Sequence, residues 1–363
     1  MEETQPHRRP MQPQARHLRR TDPEPRGRAN WRRRFAVIGL ALPALLLVGV
    51  VFLWQRAVAF NDAVSTESAL SMRLFGPFSP DRVNVLLLGY SDESREGAYL
   101  SDSMNVISID KATDTTSMIA IPRDLWVEGI EEVPQNMKIN EALRHGYYED
   151  GIEYGAELAS KAVTHVTGLE IHGWMTLDFQ GFEAMVNAVG GITLENPRAF
   201  SYTWTEPNWL AGSFADSFEA GTLELDGRLA LDYARNRYAS IPEESSDFAR
   251  LARQQRVLQA IRAKVSGWPT LSNGLAVADA LEGHLHTNLP VIDLGMLVGK
   301  LDVDRRVELR EDQILQASTN TNGQYVLLVV GQSTSSDYEP LHSYLTAELA
   351  APIASEQSPA PTP

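Results

Sequence analysis

The sequence predicts an α/β fold, a mixed central sheet flanked by helices, preceded by one transmembrane helix. Three observations predict it. Short apolar runs bounded by turn residues alternate with stretches of helical periodicity, the pattern of a sheet covered by helices. The run Phe35 to Trp54, FAVIGLALPALLLVGVVFLW, has no charged residue and matches the roughly 20 residues that cross a bilayer's hydrocarbon core. Charge divides about that run: residues 1–34 carry ten Arg against Glu2, Glu3, Asp22 and Glu24, net +6, which leaves −21 on the rest of a chain whose total is −15.

Residues 1–34 are rich in Pro, Gln and Arg and read as a disordered basic tail. Trp31 and Trp54 bracket the run 35–54 as interfacial aromatics. The arginines on its N-terminal side place the tail in the cytoplasm and everything after residue 56 outside. Ala57-Val58-Ala59 has the spacing of a signal-peptide cleavage site, but the run exceeds the roughly 7–15 residues of a signal core, so a retained anchor is the reading. A juxtamembrane stalk over 55–80 ends at Gly76-Pro77. A domain over 81–265 follows, then an extension or small subdomain over 266–349 and a disordered Pro/Ala/Ser tail over 350–363.

Within the domain, Val83–Gly89, Asn105–Ile109 and Thr116–Ile121 predict strands, the last two joined by the turn Asp110–Asp114. A helix is expected near 154–167, a strand over Trp174–Phe179, a helix carrying Phe182, Met185, Val186 and Val189 that ends at Gly190-Gly191, and a strand over 192–194. Residues 198–221 show no clear periodicity. Asp226 is expected to cap a helix over 227–235, and Asp247 to cap another whose inward face holds Phe248, Leu251, Gln255, Leu258, Ile261 and Val265. Beyond 266 the signals are a helix around 291–301 and strands near 307–309 and 325–330.

Composition and missing motifs exclude several classes. With no cysteine there is neither a disulfide framework nor a thiol nucleophile. No GxxxxGK[ST], HExxH or GxSxG occurs, which removes easy readings as a nucleotide hydrolase, zincin or serine esterase. His284-Leu-His286 has the spacing of a metal pair but no third ligand nearby. The acidic ectodomain would repel nucleic acid, so no nucleic-acid partner is expected.

What stands out is a set of arginines and aspartates: Pro122-Arg123-Asp124, Arg235-Asn236-Arg237, and the run Asp247-Phe-Ala-Arg250-Leu-Ala-Arg253-Gln254-Gln255. Arginine forks bind pyrophosphate oxygens bidentately, and a nearby carboxylate can hold the Mg²⁺ such substrates carry. Outside a membrane, this points to chemistry on a phosphorylated lipid. Asp102, in Ser101-Asp102-Ser103-Met104 at the entry to a strand, sits where ligands of α/β sheets bind. The plain alternatives are a turn aspartate at 102, an Arg123–Asp124 ion pair, and helix-terminal cations at 235 and 237. Asp247, Arg250 and Gln254 lie along one edge of the apolar face of their helix, with Arg253 rotated further round.

Taken in order, Val85–Gly89, Ser101–Met104, Ile121–Asp124, Lys138-Ile-Asn140, Phe179-Gln-Gly-Phe182, Gly190-Gly191-Ile192, Tyr233–Arg237 and Asp247–Gln255 resemble the LytR–CpsA–Psr family of bacterial cell-envelope enzymes over about residues 82–265. The resemblance implies transfer of a glycopolymer from a polyprenyl-pyrophosphate-linked glycan to peptidoglycan at the cell membrane. It assigns Mg²⁺ to Asp102 and Asp247, and the pyrophosphate to Arg123, Arg235, Arg237, Arg250 and Arg253, with Gln254 beside them. One departure is Leu100, where the family usually has an arginine; Arg95 is the residue that would supply that charge. The rivals are a lipid pyrophosphate hydrolase, a non-catalytic membrane-tethered lipid- or wall-binding scaffold, and a transcriptional regulator.

Overall fold

The computed structural model describes residues 53–353 apart from 69–71, 92–96, 134–135, 206–212, 237–238, 267–270, 301, 312, 333 and 335. The basic tail, nearly all of the apolar run 35–54 and the end of the chain lie outside the described residues. Among the described residues, no helix is long and apolar enough to cross a membrane.

After a helix at 53–64 (α1), the first apolar run becomes β1 (Arg82–Tyr90), which pairs antiparallel with β2 (Ser101–Asp110). The expected turn at 110–114 joins β2 to β3 (Thr115–Ala120), closed by Asp110 Oδ1 accepting the Ala112 and Thr113 N–H groups. The short β4 (Trp126–Val127) and β5 (Met137–Lys138) lead into α2 (Glu141–Thr167), then β6 (Gly173–Asp178) and α3 (Phe179–Ala188). Next come β7 (Ile192–Asn196), β8 (Phe200–Thr205), β9 (Ser213–Phe218), β10 (Gly221–Leu225), α4 (Gly227–Arg235), α5 (Pro242–Ser245) and α6 (Asp247–Ser266). The remainder is α7 (Leu271–Leu281), β11 (Leu285–Thr287), α8 (Val291–Gly299), β12 (Arg305–Glu308), β13 (Leu315–Thr319), β14 (Tyr325–Val329) and α9 (Glu339–Ala350).

The central sheet has the order β11-β6-β1-β2-β3-β12 and is mixed, as expected. β1 runs parallel to β6, β3 parallel to β12, and the other pairs are antiparallel. Strand alternation sends Leu86, Leu88, Met104, Val106 and Ile119 to one face, where α2 and α9 cover them through Leu143, Val163, Leu341 and Leu345. Val83, Val85, Ile107, Ile109 and Met118 face the other side and pack on Leu74, Leu289, Leu294 and Leu297. A separate apolar core joins α3, α4 and α6 to β7, β8, β9 and β10 around Tyr233, Phe200 and Val186.

Several expectations change or gain detail. The helix expected near 154–167 is the second of two helical segments in α2, separated from a first that begins at Glu141 by the non-helical backbone of Asp150 and Gly151, the latter at φ +86°. The aperiodic excursion at 198–221 contains the hairpin β8–β9, whose register runs from Phe200↔Phe218 to Thr205↔Ser213. Asp247 is the first residue of α6; Ser246 lies ahead of it, its Oγ accepting the Ala249 N–H. The segment after 266 is no separate subdomain, since β11 and β12 form the two edges of the central sheet. Nor does the stalk stand apart: Ser65 bridges Thr287, and Asn61 Oδ1 accepts the Val291 N–H at 3.0 Å.

Candidate functional site at the sheet edge

The strand register decides what meets at one end of the sheet. Tyr90, at the end of β1, is opposite Ser101 on one side and Asp178 on the other. Asp102 is therefore one residue from an edge that also launches α3. Backbone bonds clamp the neighbouring loop to it: the Ser101 N–H donates to Asn140 O at 3.1 Å, and the Asn140 N–H donates to Arg123 O at 3.3 Å. The Lys138-Ile-Asn140 segment thus ties the loop after β3 to the start of β2.

This clamp brings Arg123 onto Asp102, Nη1 to Oδ1 at 2.8 Å, while Arg123 Nε donates to Asp124 Oδ2 at 3.4 Å. Lys138 Nζ holds the other Asp124 oxygen at 2.7 Å. Arg235 approaches from the end of α4, with Nη2 at 4.0 Å from Asp102 Oδ2. Its guanidinium carbon lies 4.0 Å from the centroid of the Phe179 ring, the first residue of α3, a cation–π contact that fixes a long side chain over an apolar base. α4 reaches this position because Gly227 starts it directly on α3: a Cβ there would meet Glu183 O at 2.1 Å. Asp226 Oδ1 caps α4 through the Leu229 N–H, as expected from sequence.

Three cations (Arg123, Lys138, Arg235) therefore face two carboxylates (Asp102, Asp124). All five are partly buried, with side chains 13–27% exposed. Half-buried charges of this kind feel one another more strongly than surface charges yet stay open to a ligand. The excess of positive charge and the arginine fork suit a pyrophosphate.

On the opposite side of β2, Ser103 Oγ donates to Gln254 Oε1 at 3.2 Å and accepts from Asn105 Nδ2 at 3.0 Å. This places Gln254 of α6 beside the edge, with Arg250 one turn earlier and buried. Below this polar strip the gap between α6 and the sheet becomes apolar. A narrow crevice there is lined by Ile107, Met118, Leu258 and Val303, together with Gln255, Gln259 and Arg306.

The expected site residues thus divide. Asp102, Arg123 and Arg235 converge, and Gln254 joins them from the other face of β2. Arg253 does not. It is fully buried, donates to the carbonyls of Tyr233, Glu244 and Asn236, and pairs with the Glu244 carboxylate at 2.8 Å. Desolvation pushes its pKa below the usual arginine value despite that partner. With its donors spent inside the α4–α6 core, Arg253 is withdrawn from the pyrophosphate-binding set and holds the 236–246 loop. Arg95 and Arg237 lie outside the described residues, as does the side chain of Asp247.

His284, just before β11, and His286, within it, have different surroundings. His284 Nδ1 bonds Asp178 Oδ2 at 2.8 Å, and burial lowers the His286 pKa. Lys138, Phe179, Ser103 and Asn105 are site residues that chemical-type reasoning passed over. Lys138 and Phe179 stand in segments that carry the family resemblance, but their contacts with Asp124 and Arg235 exist only once the chain has folded.

The comparisons with known proteins agree with this architecture. The LytR_cpsA_psr family profile matches residues 48–339. A polyisoprenyl-teichoic acid–peptidoglycan teichoic acid transferase, TagU, of Oceanobacillus iheyensis is 32% identical over 72% of this chain and 78% of its own. Among solved structures, a Streptococcus agalactiae protein superposes with a TM-score of 0.55 at 25% identity, over 76% of this chain and 90% of that one. The TagU of B. subtilis shares the fold with a TM-score of 0.52 at 22% identity, over 76% of this chain and 100% of that one.

Proposed function

Because the chain belongs to the LytR_cpsA_psr family, we propose that it is an anchored, extracytoplasmic phosphotransferase moving a glycopolymer from a polyprenyl-pyrophosphate carrier onto peptidoglycan. The observation that carries this reading is Asp102 held between Arg123 and Arg235 at the sheet edge. The O. iheyensis relative is named for transfer of teichoic acid from a polyisoprenyl carrier to peptidoglycan, and the edge suits that chemistry.

An acceptor sugar hydroxyl attacks the phosphorus next to the glycan. A phosphodiester forms, the bond to the prenyl-side phosphate breaks, and polyprenyl phosphate leaves while the hydroxyl proton is lost to a carboxylate of the edge. Charge builds on the phosphoryl oxygens and the leaving phosphate, and fixed arginines stabilise it without reorganising at the moment of reaction. Arg123 supplies the planar fork, oriented by Asp102 and Asp124. Arg235 is held over Phe179, 4.0 Å from the same Asp102 carboxylate. Lys138 keeps Asp124 turned away from the incoming anion.

Mg²⁺ fits this donor set. It takes one or two carboxylates together with phosphate oxygens and water. Asp102 offers one such carboxylate, and Arg235 stays 4.0 Å from its Oδ2. Such an ion would neutralise charge on the pyrophosphate. Asp102, with Asp247, would hold it. The run 35–54 would anchor the domain beside a lipid-borne donor and raise its effective concentration.

The test uses purified chain with a polyprenyl-pyrophosphoryl oligosaccharide, a peptidoglycan fragment and Mg²⁺, read by mass spectrometry. A phosphodiester-linked adduct is expected from the wild type, reduced about 100-fold or more in Asp102→Ala and Arg123→Ala. Phosphorylated sugar released without adduct would make the protein a lipid pyrophosphate hydrolase. Donor binding with no turnover would make it a scaffold.

A further inference from the structure

Helix α8 breaks the usual rule for a surface helix. Its inner side buries Leu294 and Leu297 against the sheet, and its outer side consists of Gly295, Met296, Val298 and Gly299, all exposed and none polar. A helix apolar on both sides is ordinarily buried or in contact with lipid. The loop over 72–80 adds to the same end of the molecule: Phe78 is 100% exposed and Met72 43%. The two are tied together, because the Arg73 and Leu74 N–H groups both donate to Oδ2 of Asp293, a fully buried residue of α8, at 2.7 and 3.0 Å. Four of the eight large hydrophobics exposed among the described residues after Trp54 fall in α8 or this loop, so the exposure is concentrated rather than scattered.

The position of the chain's entry identifies what covers this surface. The uncharged run ends at Trp54, and the chain then passes along α1 to Asn61, whose Oδ1 accepts the first N–H of α8. From Gln55 to Asn61 is six helical steps, about 9 Å along the axis. The apolar helix therefore lies within about two turns of the end of the run read above as a membrane anchor. Lys111 and Lys300 sit at the border of the patch: Lys111 bonds Ser79 in the loop, and Lys300 ends α8 beside Asp114. Amphipathic interfacial surfaces carry basic residues in this way, with the stems over apolar side chains and the ammonium groups at the level of lipid phosphates.

We propose that α8 and the 72–80 loop form a second membrane contact, in which Met296, Val298 and Phe78 enter the headgroup boundary of the outer leaflet beside the anchor. The inference rests on the anchored reading given above. It orients the domain: the end of the sheet where β1 begins, just after the 72–80 loop, faces the leaflet. The sheet edge at Asp102 lies at the far end of β1, roughly 27 Å away for nine residues of strand.

The chain contains no cysteine, so single cysteines report without background. Full-length Phe78→Cys, Met296→Cys, Val298→Cys and, as a water-exposed control, Tyr148→Cys would carry a nitroxide in phosphatidylcholine–phosphatidylglycerol vesicles. Collisions with oxygen and with a nickel chelate would be compared. The expected result is an oxygen-to-nickel accessibility ratio several-fold higher at 78, 296 and 298 than at 148. Equal ratios in a chain that still floats with the vesicles would overturn the contact while leaving the anchor intact. Spin–spin broadening between copies at 296 would instead make the surface a contact between chains, which also overturns it. A chain that does not float at all would remove the anchored reading and this inference together.

Discussion

Arg123 and Arg253 are the same residue put to opposite uses. Arg123 is 27% exposed and shares its fork between Asp102 and Asp124, so it is positioned but reachable. Arg253 has no exposure, and its donors go to three carbonyls and to Glu244, itself 3% exposed. Both stand in segments that resemble the family's motifs, yet one is partly open to solvent and the other is enclosed in the α4–α6 core. Membership in a motif therefore does not mean contact with substrate. In α6 the residue that reaches the sheet edge is Gln254, and its neighbour Arg253 is turned into the α4 core.

The largest effect is expected from removing the buried arginine. Arg253→Ala leaves Glu244 buried without its cation and frees three carbonyls. It should lower unfolding free energy by about 3–5 kcal/mol, seen as a drop in the urea midpoint at unchanged slope. A shift under about 1 kcal/mol would mean that water reaches this pair and that the contrast with Arg123 is false.

Arg123→Lys sharpens the contrast from the other side. It keeps the charge but cannot bridge Asp102 and Asp124 in one plane. Stability should move by less than about 1 kcal/mol, whereas transfer should fall about 10- to 100-fold, as expected when a bidentate contact to a developing charge is lost. If both fell together, Arg123 would be a structural residue like Arg253.

The smallest effect concerns pH. Burial lowers the His286 pKa below its ordinary 6.5, against the opposing pull of Glu153 and Asp178. The unfolded chain then binds the proton more readily than the folded one, so stability is intact above about pH 6.5 and declines as the pH falls below it. Thermal melts at pH 7.5 and pH 5.5 should show a smaller loss in His286→Gln than in the wild type. An unchanged pH dependence would put the sensitivity elsewhere, His172 being the other histidine whose pKa burial lowers.

Legibility from sequence followed the range of the interactions. β1, β2, β3, their turn, and the Asp226-capped helix were readable because each depends on neighbours a few residues apart. The β8–β9 hairpin was not, since its pairing across 200–218 leaves no period in a stretch rich in Trp, Ser and Gly. The edge strand β11 holds three residues, too few for a pattern, and is a strand because β6 offers it a partner, whereas β12 falls where a strand near 307–309 was expected. At the site, charge type and motif order pointed to Asp102, Arg123 and Arg235. Phe179 under Arg235 and Lys138 on Asp124 needed the fold to bring together residues 56 and 14 positions apart.

By itself the sequence determined the class of the molecule: an uncharged run of bilayer length, an acidic α/β domain beyond it, and a set of arginines and aspartates suited to a pyrophosphate. Alternation, capping and charge are local properties, so they survive in one dimension. Only the tertiary structure decided which arginine is buried, which face of α8 lacks a partner, and that Asp102 and Arg235 share one edge. Those outcomes depend on desolvation and on contacts between distant segments, and neither is a property of any short stretch of chain.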